Sequence, residues 1–291
     1  MTMYKYRMLG VVTLYNPEIE QVATNINLFL PFIDKLIIWD NSYKDKSVRK
    51  RMESLLQNEE EKVLWHVTGE NLYIAPAIEF AWNYAKSEHY DFVLTMDQDS
   101  KWEDFGAYRK EIEMFFSKNI FCVYTPYILG GDKWPICKEI QQRRIFINSG
   151  TVYPTKILNA IGGIDKRFPL DALDHDLSIR VQKAGFSIVC LTNYNLSHTM
   201  GNPTSAKWLP IKANNYSAWR TKEITRSQVL LWRKHRDWLT LKDKYRIIKD
   251  FFIMRILRII LLEDDKFNRI KMMINGIKTG ITYKMTNEYG K

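Results

Sequence analysis

The chain has 291 residues, 46% of them hydrophobic and 13% aromatic, which is enough to build a full core and excludes a disordered protein. Its net charge of +10 is uneven, because residues 1–206 hold 23 Lys and Arg against 25 Asp and Glu, whereas residues 207–291 hold 20 against 8. The three cysteines lack zinc spacing and the N-terminus is polar rather than signal-like, so we expect a reduced, cytoplasmic location.

The N-terminal part of the chain alternates between two hydrophobic periods. Continuous apolar runs, the pattern of strands buried on both faces, occupy residues 8–14, 35–39, 63–67 and 92–96. The segments between them predict helices within residues 19–29, 41–56 and 74–85. This alternation predicts an α/β fold with a Rossmann-like, mostly parallel sheet flanked by helices on both faces.

The first of these helices has its own start signal. Asn16 is a favoured N-cap residue, Pro17 suits the first helical position, and Glu18 places an acid in the first turn. The sequence therefore predicts a helix that begins directly after Asn16.

Further elements follow the fourth strand. In chain order the pattern predicts a helix at residues 108–118, a strand at 121–126, a loop at 130–135, a strand at 144–153, helices at 157–161 and 177–183, and a strand at 186–191. After Pro210 the chain becomes helical and basic. We therefore predict a body at residues 1–205, with halves of about 1–130 and 131–205, and a basic helical region at 206–291.

Several common site motifs are absent. The first strand is not followed by G-x-G-x-x-G, and the chain contains neither G-x-x-x-x-G-K-[ST] nor G-x-S-x-G. These absences argue against a dinucleotide-binding fold, a P-loop and an α/β-hydrolase.

Polar residues follow three of the predicted strands. Tyr15 and Asn16 end the first strand, Asp40 the second and Asp97 the fourth. Ligands of parallel sheets bind at the carboxyl ends of the strands, so these groups could converge on one crevice. The alternative is that strand ends simply require polar residues.

Asp97-Gln98-Asp99 is a candidate metal and nucleotide motif. Two carboxylates one residue apart, directly after a buried strand, can reach one hard cation and a ribose or diphosphate together. Mg²⁺ and Mn²⁺ prefer such oxygen ligands and complete their shells with waters and phosphates.

Four acids form a denser cluster further along the chain. Asp165, Asp171, Asp174 and Asp176 lie within twelve residues, close to a predicted helix start. Clustered carboxylates repel, which raises the pKa of at least one and favours a general base, although N-capping explains one or two of them. His198 follows a strand and could complete a metal shell, or serve the structure alone.

Taken in order, these motifs resemble those of the family 2 glycosyltransferases of the GT-A fold, especially bacterial rhamnosyltransferases. The resemblance covers most of the chain and rests on residues 13–17, Asp40-Asn41-Ser42, Asn71, Asp97-Gln98-Asp99 as the D-x-D motif, Ser149-Gly150-Thr151, Gly162-Gly163-Ile164-Asp165, Asp174-x-Asp176-Leu177-x-x-Arg180, and His198-x-x-Gly201. Asp171 matches the rhamnosyltransferase variant of the acidic motif.

The resemblance implies an inverting transfer of a sugar, rhamnose in the nearest variant, from a nucleotide-diphosphate sugar such as dTDP-rhamnose or a UDP-sugar. The acceptor would be a cell-surface glycan or a polyprenyl-linked glycan. The implied roles are Asp174 as catalytic base; Tyr15, Asn16, Asp40, Asn71, Asp97 and Gln98 for the nucleotide sugar; Asp99 and His198 for Mg²⁺ or Mn²⁺; and Asp171 and Arg180 on the acceptor side. Residues 1–130 would form the nucleotide-sugar half and residues 131–205 the acceptor half.

The basic C-terminal region leaves alternatives open. Residues 247–262 are apolar almost all round but carry four charges, so the segment is too short and too polar to span a bilayer. It would lie at an anionic membrane surface, such as the inner face of the plasma membrane, or pack as a buried helix.

Two other classes of function compete with sugar transfer. Tryptophans interleaved with Lys and Arg would suit a nucleic-acid-binding protein, but the acidic cluster has no role there, so we expect no nucleic-acid partner. A nucleotidyltransferase should carry a glycine-rich basic loop after the first strand, and Tyr15-Asn16-Pro17-Glu18 is not one.

Overall fold

A computed structural model describes residues 4–42, 46–56, 60–129, 138–198, 204–205 and 212–285 of the protein. The chain forms two compact units, the first from residues 1–170 and 177–199 and the second from residues 171–176 and 200–291. The predicted loop at 130–135, Cys137 and Gly201 lie outside the described residues.

The first four strands form the parallel half of the sheet in the first unit. They are β1 (Met8–Leu14), β2 (Lys35–Asp40), β3 (Val63–Val67) and β4 (Phe92–Asp97), in the spatial order β3-β2-β1-β4. Thr13 of β1 is in register with Trp39 of β2 and with Asp97 of β4. The carboxyl ends of these strands therefore meet at one edge, as the sequence predicts.

The second half of the sheet is mixed. It contains β5 (Ser100–Trp102), β6 (Cys122–Leu129), β7 (Ile140–Arg143), β8 (Val152–Pro154) and β9 (Ser187–His198). The short β8 pairs antiparallel with β4 and β6, while β9 runs parallel to β6 and antiparallel to β5 and β7. The α/β prediction is confirmed.

The prediction of a strand at residues 144–153 is wrong for most of that range, because only Val152 and Tyr153 belong to a strand. Residues 148–151 form a turn instead, in which the Gly150 N–H donates to the Thr95 carbonyl at 2.8 Å and the Thr151 N–H donates to the Asn148 carbonyl at 3.0 Å. Gly150 has a φ of 76°, which a glycine adopts without strain. The apolar side chains around this turn are buried in the core, and their apolar sequence resembles that of a strand.

Helices flank this sheet. They are α1 (Ile19–Asn27), α2 (Lys46–Leu55), α3 (Ala75–Ser87), α4 (Phe105–Ser117), α5 (Thr155–Ala160) and α6 (Leu173–Lys183), with 3-10 turns at Leu30–Phe32 and Glu60–Lys62. The first residues of α6 belong to the second unit, and this helix begins four residues before its predicted start at residue 177.

The predicted N-cap of α1 is wrong. The helix begins at Ile19 with Glu18 at the cap position, and no side chain caps it. Asn16 instead has a φ of 45° and donates its backbone N–H to the Ser42 hydroxyl at 2.9 Å. Because Asn16 is fixed in a turn by this bond, the helix starts only after the chain has left the strand edge.

Aromatic packing fixes the short strand β5 in the core of the first unit. Trp102, at the end of β5, is 1% exposed, and its ring lies 5.1 Å from Phe105 and 4.7 Å from Tyr108. Its indole N–H donates to the sulfur of Met96 in β4 at 3.2 Å. Trp102 therefore anchors the segment that follows the Asp97-Gln98-Asp99 motif, both by packing of its ring and by the hydrogen bond of its indole N–H.

The second unit is helical, as predicted for the region after Pro210. It contains α7 (Ala218–Lys234), α8 (Leu241–Ile247), a π-helical segment (Ile248–Ile253), α9 (Met254–Leu262) and α10 (Lys266–Thr282), with a two-residue pairing of β10 (Thr204–Ser205) and β11 (Lys212–Ala213). None of the helices within the described ranges combines the length and the apolarity that crossing a bilayer requires.

Glycines let α7 and α10 approach closely. A Cβ on Gly276 would overlap the Thr225 hydroxyl and the Lys222 carbonyl oxygen, both of α7. The Thr225 hydroxyl donates across this contact to the Met273 carbonyl at 3.2 Å. The two helices therefore pack backbone against backbone along this line.

Candidate metal centre and the edge of the sheet

Three potential metal ligands meet at the carboxyl end of β4. One ligand atom from each of Asp97, Asp99 and His198 lies within 4.8 Å of the other two. The His198 Nδ1 is 3.3 Å from Asp99 Oδ1, and the His198 Nε2 is 4.0 Å from Asp97 Oδ2. The carboxylates are partly exposed, at 33% and 41%, whereas the imidazole is 10% exposed.

The sheet sets the position of His198. β5 begins one residue after Asp99, and its first residue, Ser100, is the register partner of His198 at the end of β9. The Ser100 hydroxyl and the His198 Nδ1 are 2.8 Å apart. Strand pairing thus brings the imidazole to the two carboxylates across almost a hundred residues of chain.

A second hydroxyl ties the same group to the end of β4. Ser149 donates its hydroxyl to Ser100 Oγ at 2.6 Å and accepts the Asp97 backbone N–H at 3.1 Å. Ser100 and Ser149 are both fully buried. These two serines therefore fix the backbone of the first carboxylate and the ring of the histidine together.

The donor set fits a divalent cation. Two carboxylates and one imidazole suit Mn²⁺, and carboxylates with waters suit Mg²⁺. If the Nδ1 proton of His198 is directed to Ser100 Oγ, the lone pair of Nε2 is available to an ion, and outer hydrogen bonds of this kind commonly orient metal-bound histidines. The arrangement is thus a possible Asp-Asp-His metal site.

Gln98, between the two carboxylates, clamps the loop after β1. Its Oε1 accepts the Tyr15 N–H at 2.8 Å, and its Nε2 donates to the Tyr15 carbonyl at 3.2 Å. Asn25 of α1 donates to the Gln98 carbonyl at 3.2 Å. The side-chain amide of Gln98 therefore positions Tyr15, whose own side chain is 40% exposed.

The end of β2 carries a buried polar network. Asp40 is 3% exposed and accepts the Ser42 N–H at 2.8 Å. Asn41 accepts the Trp39 indole N–H at 2.9 Å and donates to the Tyr73 carbonyl at 2.9 Å. This network joins the end of β2 to the loop before α3.

Asn71 lies in that loop and shapes it. Its Oδ1 accepts the Tyr73 N–H at 3.0 Å, and Tyr73 has a φ of 64°, which is unusual for a bulky residue. The structure thus places Tyr15, Asn16, Asp40, Asn71 and the D-x-D motif on one connected set of strand ends and loops in the first unit. Their contacts with a nucleotide sugar remain a prediction.

Of the four clustered acids, Asp165 is assigned to a different unit from the other three. It belongs to the first unit, is 1% exposed, and pairs with Arg167, whose Nη2 is 2.6 Å from its Oδ2. Arg180 of the same unit donates to the carbonyls of Ile161 at 2.8 Å and Gly163 at 2.6 Å. Arg180 therefore supports the turn before Asp165, and its acceptor-side role remains a prediction.

Asp171, Asp174 and Asp176 belong to the second unit. Asp176 is fully buried, and its Oδ1 lies 2.5 Å from the Nζ of Lys234, the last residue of α7, and 2.8 Å from the Nε2 of His235, which caps that helix. Asp174 occupies the first turn of α6 and is half-buried. The buried contact of Asp176 thus anchors the helix turn that presents Asp174.

The pKa of Asp171 is raised from its usual value to about 6. Burial is the main cause, the nearby Arg220 guanidinium at 3.7 Å opposes it, and Glu223 adds to it. Burial also lowers the pKa of His175 to about 4, which keeps that imidazole neutral at physiological pH. Burial therefore shifts the pKa of Asp171, just before α6, and of His175, in the first turn of that helix.

Several supporting residues were not predicted as members of the site. Ser100 follows the D-x-D motif directly, but a strand of three residues has no periodicity that sequence inspection can detect. Arg220 and Lys234 belong to α7 and His235 caps it, far along the chain, and their only sequence signal is the basic charge of that region.

Comparison by sequence finds no relatives: no protein-family model matches the chain, and neither does any curated protein. Comparison by structure does. TarS 1-349 of S. aureus in complex with UDP-GlcNAc matches with a TM-score of 0.59 and 14% identity, covering 94% of this chain and 80% of that one. The mannosyltransferase PcManGT from Pyrobaculum calidifontis in complex with GDP-Man and Mn²⁺ matches with a TM-score of 0.57 and 10% identity, covering 97% and 77%.

A third similar structure, GalNAc-T7 with UDP, GalNAc and Mn²⁺, has a TM-score of 0.59 and 9% identity, covering 84% of this chain and 54% of that one. At these identities the likeness is one of fold. The protein has the fold of the GT-A glycosyltransferases, which confirms the predicted fold class.

Proposed function

We propose that the protein is a metal-dependent glycosyltransferase that moves a sugar from a nucleotide-diphosphate sugar to an acceptor hydroxyl with inversion. The observation that carries the proposal is the Asp97, Asp99 and His198 cluster at the carboxyl end of β4, within the GT-A fold. Three similar structures hold nucleotides or nucleotide sugars, which supports a donor of the same class.

The donor half of the proposal assigns the strand ends of the first unit. Asp40 and Asn71 would hold the base, and Asp97 the ribose or the metal. Tyr15 and Asn16 would line the nucleotide, in a loop that Gln98 holds in place through its two hydrogen bonds to Tyr15. These assignments are supported by the hydrogen bonds that connect the same loops.

Asp99 and His198 would hold Mg²⁺ or Mn²⁺, with Asp97 beside them. A bound divalent ion at this position supplies charge neutralisation for the departing diphosphate. Two of the similar structures contain Mn²⁺ with a nucleotide or nucleotide sugar, whereas the choice between the two ions is open to experiment in this protein.

The acceptor half of the proposal assigns Asp174 as the general base. Its carboxylate would take the proton from the acceptor hydroxyl as the oxygen attacks the anomeric carbon, and the bond from that carbon to the diphosphate would break. The bond forms opposite the leaving group, so one step inverts the configuration and no nucleophilic carboxylate is needed. Asp171 and Arg180 would lie on the acceptor side.

The finer identities rest on resemblance. The acidic motif that includes Asp171 resembles that of rhamnosyltransferases, so dTDP-rhamnose is the first donor to test beside UDP-sugars. We propose a cell-surface glycan or a polyprenyl-linked glycan as acceptor. Such acceptors would place the protein in the cytoplasm, at the inner face of the plasma membrane.

A donor-hydrolysis screen tests the proposal without knowledge of the acceptor. The purified protein is incubated with dTDP-rhamnose, UDP-GlcNAc and GDP-mannose, and free nucleoside diphosphate is measured with Mg²⁺, with Mn²⁺ and with a chelator. We expect one donor to be cleaved selectively, the chelator to stop cleavage, and either ion to restore it. Full activity in chelator would remove the metal assignment, and absence of cleavage of all three donors with either ion would contradict the proposed function.

A further inference from the structure

Helix α9 exposes four apolar side chains and buries a charged one, Arg255, beside Ile259. Its exposed positions are Ile256, Leu257, Ile260 and Leu261, which are 38%, 38%, 46% and 41% exposed. They recur at the three- and four-residue spacing of one helix face. On the opposite face, Arg255 is 4% exposed.

The inward charge of Arg255 is paired with a carboxylate within the second unit. Its guanidinium contacts both carboxylate oxygens of Glu263, at 2.6 and 2.9 Å, and donates to the Thr221 hydroxyl at 2.6 Å. Arg269 of α10 contacts the same carboxylate at 2.5 Å. The charge of Arg255 is therefore removed from the solvent face of α9, and Arg258, the other charge of this helix, is half-buried.

The apolar face continues towards the N-terminus. In α8 and the π-helical segment, Leu241 is 85% exposed, Tyr245 65%, Ile248 43% and Ile253 51%. Single exposed apolar residues are ordinary, but a row of eight along one continuous run of helical turns is not. Sequence alone had left open whether this segment is buried; in the structure one side of it is exposed.

Basic side chains accompany this row. Lys242, Arg246 and Lys249 are exposed in the same run of turns, and Lys266, Lys271 and Lys278 are exposed on α10, which follows it. Such residues repel a second copy of the same surface and attract a negatively charged one. Each Lys or Arg near an anionic bilayer is worth about fivefold in binding.

We propose that residues 241–262 form a docking surface for an anionic lipid bilayer, with the apolar row at the level of the headgroups and the basic side chains against lipid phosphates. The geometry is that of an amphipathic helix lying in the interface, since the segment cannot span it. The proposal goes beyond sugar transfer, because lipid binding requires neither a donor nor a metal.

The test is sedimentation of the full chain with vesicles of phosphatidylcholine alone and with added phosphatidylglycerol. The variant Ile256→Gln with Ile260→Gln is compared with Ile120→Gln with Ile140→Gln, since the control isoleucines are each 45% exposed and lie in the first unit. We expect binding to anionic vesicles that the first pair weakens at least about tenfold and that the control pair leaves unchanged. Lys242→Gln with Lys249→Gln should weaken binding only to the anionic vesicles.

Three outcomes would overturn the proposal. They are absence of wild-type binding to anionic vesicles at low salt, equal binding by the Ile256 and Ile260 variant, and a dimer in sedimentation equilibrium that the same variant dissociates while vesicle binding is absent. Should that variant fail to fold, Ile253→Gln with Leu257→Gln probes the same face at 51% and 38% exposed positions. Donor hydrolysis measured in parallel separates the two proposals, because failure of either readout leaves the other intact.

Discussion

Ser100 and His198 are register partners in the antiparallel pairing of β5 and β9, and their side chains lie 2.8 Å apart. The position of the imidazole is therefore set by the backbone of a sheet rather than by a loop. A site built on strands holds its ligands more accurately than one built on loops, which favours selective binding of an ion.

Replacement of His198 should weaken metal binding. We expect His198→Asn to reduce the affinity for Mn²⁺ at least about tenfold, because the ion loses one of three protein ligands. Titration calorimetry or Mn²⁺ electron paramagnetic resonance measures the change. His89→Asn is the matched control, since His89 is exposed and its φ of 58° is tolerated by asparagine. Equal Mn²⁺ affinity in the two variants would contradict the assignment.

Asp174→Asn should separate chemistry from donor binding. We expect the transfer rate to fall by roughly 10²- to 10⁴-fold, as for loss of a general base, while UDP binding stays within about threefold of wild type. Rapid-quench assays with the cleaved donor and calorimetry with UDP measure the two quantities. Asp237→Asn, at an 89% exposed side chain of the same unit, controls for the chemical change. Loss of UDP binding in a folded Asp174 variant would point to a donor-side role instead.

Asp171 should make stability depend on pH. Its pKa is about 6 in the folded protein and near 3.8 when unfolded, so ionisation between these values favours the unfolded state. The cost is absent below about pH 4 and complete above about pH 6, and a shift of this size corresponds to about 3 kcal/mol. Relative to Asp171→Asn, wild type should therefore lose stability as pH rises.

Urea unfolding at pH 4.5, 6 and 7.5 measures this difference. His175 titrates in the same range with the opposite sign, since its pKa is lowered to about 4, so its contribution to stability is lost as the pH falls. It is present in both proteins and cancels in their difference. A difference in unfolding free energy that does not change with pH would show that Asp171 is ionised normally.

Gly276→Ala should destabilise the second unit. Alanine normally favours a helix over glycine by up to about 1 kcal/mol, but here the new Cβ meets the Lys222 carbonyl of α7, which cannot move without the helix. Overpacking of this kind costs about 1–3 kcal/mol. Asn275→Ala, at the exposed neighbouring position, should instead stabilise slightly. Thermal unfolding compares them, and a rise in Tm for both variants would contradict the close packing.

β1, β2 and β4 are buried on both faces as predicted, because their sequence pattern is local, whereas β3, at the end of the strand order, is only half-buried. The apolar runs of β1 to β4 each carry a complete signal, and the polar residues at their ends follow from the geometry of parallel sheets. The Asp97 and Asp99 pair could be assigned to the sheet edge on that basis alone.

Other features depend on contacts that are distant in sequence. Asn16 resembled a helix cap, but its conformation is decided by Ser42 of another strand end. The residues before Thr151 resembled a strand, but hydrogen bonds to Thr95 turn the chain there. The partners of Asp176 lie at the C-terminal end of α7 and at its cap, about sixty residues away, where no local pattern could indicate them.

The same pairing of β5 with β9 has a consequence for folding. Asp97 and Asp99 lie about a hundred residues before His198 in the chain, and the pairing of β5 with β9 brings the three together. Closing so large a loop is slow and costs chain entropy that local contacts do not offset. An ion at this site would bind only when β5 and β9 are paired. It would therefore stabilise the folded protein mainly by lowering the unfolding rate, with little effect on the folding rate.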